Sequence, residues 1–130
     1  MSSPILRQSL DDAGSQGAGS DVRALGHHQL GLFVSTDATP TSLKVQLEIS
    51  PTGTEWAVAE TLSGELSITE ADLNAENNAH ISAAGVYAEL LRANVTAYDA
   101  AGNVDAWIMV AGNAGQGRKG VGRNGPVSDL

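Results

Sequence analysis

Ser42-Leu-Lys-Val-Gln-Leu-Glu-Ile-Ser50 runs straight into Pro51-Thr-Gly-Thr-Glu-Trp56. Leu43, Val45, Leu47 and Ile49 alternate strictly with Lys44, Gln46, Glu48 and Ser50. Successive side chains of a pleated strand point to opposite faces, so this period of two predicts a strand with one buried face and one wet face. Pro51 presets its own φ and Gly53 tolerates positive φ, which predicts a turn and a hairpin with Thr54-Glu-Trp-Ala-Val-Ala-Glu60.

The same period recurs on either side. Leu30, Leu32 and Val34 share a face in the stretch 28–36, and Leu62, Gly64, Leu66 and Ile68 give a weaker version over 62–69. Thr69 or Ser67 is placed to cap a short helical turn that opens Thr69-Glu-Ala-Asp, before Asn77-Asn78 ends it. Leu91, Ala93, Val95 and Ala97 then alternate with Arg92, Asn94, Thr96 and Tyr98. After the turn residues Asp99-Ala-Ala-Gly-Asn103, Val104, Ala106, Ile108 and Val110 do the same. These two segments are predicted to form a second hairpin. Several short strands separated by Gly, Pro, Asn and Asp predict an all-β fold, an antiparallel β-sandwich of the jelly-roll or immunoglobulin-like kind, with a closed barrel as the alternative.

Outside this region the texture changes. Asp11-Asp-Ala-Gly-Ser-Gln-Gly-Ala-Gly-Ser-Asp21 buries little and costs much backbone entropy to order, so it reads as a linker or a long loop. The apolar residues between Pro4 and Leu10 are left either to pair as an edge strand or to dock on a neighbour. Six of the 15 glycines fall in the last 20 residues, where no hydrophobic period survives. The predicted organisation is an N-terminal segment and linker over 1–28, the sandwich over 29–111, and a flexible, basic, Gly-rich C-terminal arm over 112–130.

At 130 residues the chain fits one domain. Charge is more informative than size: 15 Asp and Glu against 7 Lys and Arg give a net charge of -8, and only Lys44 and Lys119 are lysines. An acidic, lysine-poor surface repels phosphates and disfavours nucleic acid as a partner. With five aromatics and many small residues, the composition suits concentrated salt, where repulsion among carboxylates is screened; an ordinary acidic protein is the alternative. Charge reverses along the chain, since Arg118, Lys119 and Arg123 face only Asp129 after residue 110. Cysteine is absent, which excludes disulfides and thiolate metal sites. No basic and apolar leader and no run of membrane-spanning length is visible, so neither export nor a membrane anchor is predicted.

Catalytic and cofactor chemistry finds little support in the residues. His27-His28 are adjacent on a predicted strand and so point to opposite faces, which suits a structural role better than a shared metal. Asp72-Leu-Asn-Ala-Glu76 lacks the glycine and the final glutamate of an EF-hand loop. Asp99, Asn103 and Asp105 fit turn chemistry without an ion. No G-x-S-x-G elbow frames a serine, and no pair of acids is marked out for hydrolysis. The chain is therefore read as a non-enzyme without a cofactor. Asn94-Val-Thr96 matches a glycosylation acceptor but lies within a predicted strand.

Contact residues are a different matter. If Ala106 and Ile108 point inward, Trp107 and Met109 point outward, where interface cores are enriched in both types. Trp107 and Met109, the apolar Ile5 and Leu6, and the basic Arg118, Lys119 and Arg123 are the predicted interaction residues. Trp56 and Trp107 also raise the alternative of a sugar-stacking platform.

The run Leu43-Lys-Val-Gln-Leu-Glu-Ile-Ser-Pro-Thr-Gly-Thr-Glu-Trp56 resembles small β-sandwich proteins of tailed-virus particles, in which a strand-turn-strand often reads S-P-D-G-T-x-W. Here Thr52 stands in place of the Asp. Gly85-Val-Tyr and Arg92-Ala-Asn-Val-Thr-Ala-Tyr98 look like the companion strand of that domain, so the resemblance covers roughly residues 29–111. It implies a structural protein of the virion, with major capsid or tail proteins as partners, as a homo-oligomer, and, given the acidic composition, in a virus of a halophilic archaeal host. A carbohydrate-binding or adhesion module that contacts a host surface glycan is the alternative it leaves open.

Overall fold

Strands with one apolar face bury it by packing in pairs of layers. The computed structural model describes residues 5–99 and 102–113, and over them the alternating segments form two such layers. In chain order the strands are β1 (Ile5–Ala13), β2 (Gly17–Ala18), β3 (Val22–Arg23), β4 (His27–Thr36), β5 (Leu43–Ser50) and β6 (Ala57–Val58), then β7 (Glu60–Thr61), β8 (Gly64–Glu65), β9 (Ser67–Thr69), β10 (Asn78–Ala84), β11 (Leu90–Tyr98) and β12 (Val104–Asn113). One sheet has four strands in the order β1-β12-β4-β10. The other has six: β2 and β3 pair with β11, β11 with β5, and β5 with β6 and β9. All of these pairs are antiparallel. The chain is thus an antiparallel β-sandwich, and among the described residues no strand is common to both sheets.

The core is the set that alternation predicts except at the end of β11, where a register slip between Val95 and Ala97 sets Tyr98, expected outward, opposite Leu43 and against the core, and leaves Ala97, expected inward, opposite Lys44. Leu30, Leu32 and Val34 of β4 and Val104, Ala106, Ile108 and Val110 of β12 face Leu43, Val45 and Leu47 of β5 and Leu91, Ala93 and Val95 of β11, all buried. The short helical turn is a 3-10 helix at Glu70–Asp72. Thr69 and Asp72 cap each other at its start.

Two further expectations need correction. The first concerns β11 and β12, which do not form a hairpin: β11 pairs with β5 and β12 with β4 and β1, in opposite sheets. The Asp99 carboxylate accepts the backbone N–H groups of Thr41 (2.9 Å) and Ser42 (3.0 Å). That ties the end of β11 to the start of β5, and the chain then crosses the sandwich. Alternation is the same for a hairpin and for an arch between sheets, so the period could not separate them.

The second concerns the N-terminal segment. Residues 11–21 are woven into the sandwich, and the domain begins in β1, well before residue 29. Of the two roles open to the apolar segment before Leu10, edge-strand pairing is the one adopted, against β12. The register slips twice, between Gln8 and Leu10 and between Leu10 and Ala13. At the first slip Ser9 is turned into the interior, where its hydroxyl donates to the Ser20 carbonyl (2.8 Å) and accepts the Ala93 N–H (2.9 Å), bridging the two sheets. Gly19 passes so close that a Cβ would collide with the Ser9 carbonyl. At the second slip Asp12 takes a positive φ, its N–H bound by Asp105 (2.7 Å) and its carboxylate by the Asn103 amide (2.8 Å). Leu10, Val22 and Ala24 complete the core from this segment. The C-terminal strand also runs two residues past the predicted boundary, to Asn113.

Candidate functional site

Each sheet has an outer face, and the two are built differently. On the six-stranded sheet the outward residues of β5 and β11 are Gln46, Glu48, Arg92 and Asn94, with Glu48 opposite Arg92 and Gln46 opposite Asn94. They bond to one another. One Glu48 oxygen accepts the Arg92 Nε–H at 2.7 Å, and the other accepts Asn94 at 2.8 Å and Gln46 at 2.6 Å. Burial alone would push the Glu48 carboxyl up; the three hydrogen bonds and the charge of Arg92 outweigh it and hold it below the ordinary carboxylate value.

Trp56 closes this network from above. The Ser50 hydroxyl accepts the N–H groups of Thr52 (3.1 Å) and Gly53 (2.7 Å), and Gly53 takes φ +90, so the Ser-Pro-Thr-Gly-Thr turn is fixed from its first residue. The Trp56 indole N–H then donates to the Gly53 carbonyl at 3.2 Å, and the Arg92 guanidinium lies 4.2 Å from the ring centroid. That cation occupies a face of the indole that a sugar platform would need.

The four-stranded sheet turns a different surface outward. Leu6 lies opposite Met109, Trp107 opposite Phe33, and Met109 opposite Gly31, so β1, β12 and β4 bring these side chains together across three adjacent strands. Phe33 meets the Trp107 ring edge-on, with centroids 5.7 Å apart. The Met109 side chain lies over Gly31, and between these strands is a groove of about 580 Å³ lined by Leu6, Phe33, Trp107 and Met109 together with His80 and Ser82 of β10. Leu6 is 57% exposed and Phe33 38%. No Asp, Glu, Lys or Arg lines the groove, in a chain with 22 such residues.

Of the predicted interaction residues, the structure joins Leu6, Trp107 and Met109 in this groove. Ile5 points the opposite way and packs against the core. Arg118, Lys119 and Arg123 lie outside the described residues. Phe33 and Gly31 were missed, although the alternation that turns Leu32 and Val34 inward turns both outward, the same signal that marks Trp107. His27 is buried and His28 stacks near Tyr87, with ring centroids 5.5 Å apart. Asp99, just past β11, accepts the Thr41 N–H, and Asp105, within β12, accepts the Asp12 N–H. Asn94 serves Glu48. Among the described residues no helix is long and apolar enough to cross a membrane.

Comparison with protein-family models and with curated proteins returns no match. Among solved structures, the crystal structure of the SPBc2 prophage-derived protein YomS is similar to this chain. The TM-score is 0.57 at 17% sequence identity, covering 83% of this chain and 92% of that one. At that identity the similarity speaks for the fold alone.

Proposed function

We propose that this chain is a structural protein of a tailed-virus particle. It joins the capsid or tail through protein contacts and performs no catalysis. The observation that carries the reading is the uncharged apolar groove of Leu6, Phe33, Trp107 and Met109 on the outside of the four-stranded sheet. A soluble acidic domain gains nothing from leaving such a surface in water, whereas burial under a partner removes apolar area at about 25 cal/mol per Å². The Ser50–Trp56 turn of the resemblance, and the likeness in fold to a prophage-derived protein, favour a virion as the setting. The acidic composition favours a particle that assembles in concentrated salt.

The test is incorporation. Particles produced with Trp107→Ser combined with Met109→Ser are expected to lack the protein, while the purified variant keeps its sheet spectrum. Full incorporation of that folded variant would sink the reading. Unchanged incorporation together with lost retention on host glycans would instead favour the adhesion alternative, with Trp107 as its platform.

A further inference from the structure

The four-stranded sheet has two edges, and they are treated in opposite ways. The β1 edge is interrupted by two register slips and carries exposed Arg7, Asp11 and Asp12. Bulges and charges are the usual means by which an edge strand is kept from pairing with another chain. The β10 edge has neither. Its seven residues, Asn78-Ala-His-Ile-Ser-Ala-Ala84, pair with β4 without a slip and include no Asp, Glu, Lys, Arg or Pro.

The polarity of that edge can be read from Asn78. Its N–H donates to the Asn74 side chain (3.0 Å) and its carbonyl accepts the Asn74 N–H (3.0 Å), while the Asn77 carbonyl accepts Thr36 N–H (3.1 Å) at the end of β4. Even-numbered residues therefore aim their backbone groups away from β4 and odd-numbered ones toward it, because antiparallel strands alternate in this way. Asn74 satisfies Asn78. The N–H and C=O groups of His80, Ser82 and Ala84 find no partner among the described residues, and all three residues are exposed.

We infer that this edge pairs with β10 of a second copy, antiparallel about a two-fold axis at Ile81, to join two four-stranded sheets into one. The strand is close to self-complementary about that residue. Ala79, Ile81 and Ala83 lie on the core side and are half-buried, so the pairing sets Ile81 against Ile81 and Ala79 against Ala83. His80 and Ser82 on the outer side face each other across the axis and supply about four inter-chain hydrogen bonds. A two-fold contact requires such a surface to match itself, and an uncharged strand avoids the like-charge opposition that most other surfaces of a chain with net charge -8 would create. This goes beyond the virion reading and does not depend on it, since β10 can pair whatever covers Trp107.

Sedimentation equilibrium of the full chain in molar salt is expected to give a species of twice 13.3 kDa that dissociates on dilution. Ser82→Pro removes an outward N–H at an edge position where proline is tolerated, and is expected to raise the dimer dissociation constant at least ~10-fold. Hydrogen exchange supplies a readout that does not rely on the variant folding: the His80 and Ser82 amides of the unmodified chain should slow as concentration rises, while the Ile81 amide, bound to β4, stays unchanged. A monomer at all concentrations, a dimer indifferent to Ser82→Pro, or fast His80 and Ser82 exchange in the dimer would overturn the inference. So would protection in a monomer that vanishes on deleting residues 114–130, which would assign the edge to the chain's own C-terminal segment. Any of these results leaves the Trp107 and Met109 incorporation test standing.

Discussion

The outer face of the six-stranded sheet and the outer face of the four-stranded sheet come from the same alternating pattern, yet one is finished and the other is not. On the first, Gln46, Glu48, Arg92 and Asn94 consume one another's donors and acceptors, and Trp56 covers the guanidinium. On the second, Leu6, Phe33, Trp107 and Met109 surround a groove and find only part of their contacts within the chain. A face that satisfies itself contributes to the stability of the single molecule. A face that leaves apolar area open contributes little until something covers it. Substitutions should therefore divide by face, with folding readouts moving on one and association readouts on the other.

The largest effect on folding is expected from Glu48→Ala, which leaves Arg92, Asn94 and Gln46 without their common acceptor. A loss of about 2–4 kcal/mol should appear in denaturant unfolding, because removing one member of a buried charged network leaves the others unpaired. Acid should reproduce part of it. A carboxyl held below its ordinary value contributes stability above the unfolded-state pKa of about 4.3, and that contribution is lost as pH falls through the lower folded value. Between about pH 6 and about pH 3 the unmodified protein should lose more stability than Glu48→Gln, and equal slopes would show that Glu48 is not the group responsible. Trp56→Ala should cost about 1–2 kcal/mol through the lost stacking on Arg92 and the lost indole area. At the small end, Trp107→Ser on the other face should change unfolding by less than about 1 kcal/mol. A loss as large as that of Glu48→Ala would mean that the two faces do the same job.

Legibility in the sequence followed the regularity of each strand. Over Leu30–Val34 of β4, Leu43–Leu47 of β5, Leu91–Val95 of β11 and Val104–Val110 of β12 the period of two holds, and the buried set was readable residue by residue. β1 is as long as β11 but hid itself. Ser9 and Asp12 are extra residues at bulges, and each breaks the count on which a period depends. The glycines that follow suggested a linker, while the structure uses Gly19 for a close approach to Ser9 that no side chain would permit. The groove was half legible. Trp107 and Met109 declared themselves because large apolar residues on the wrong side of an alternation are conspicuous. Gly31 could not, since its part is to let the Met109 side chain lie against the sheet, and that acquires meaning only when β12 lies beside it.

Among the described residues β12 is the last strand, yet it lies inside its sheet, between β1 and β4. Ribosomal synthesis therefore delivers the middle of the four-stranded sheet last. Until residues 104–113 emerge, β1 has no neighbour to join in that layer, and β4 has β10 alone beside it. Closure waits on contacts between β1 and β12, strands about ninety residues apart in sequence, the slowest kind to form. A premature stop ahead of Val104 would thus produce an open, aggregation-prone fragment rather than a trimmed version of the same object.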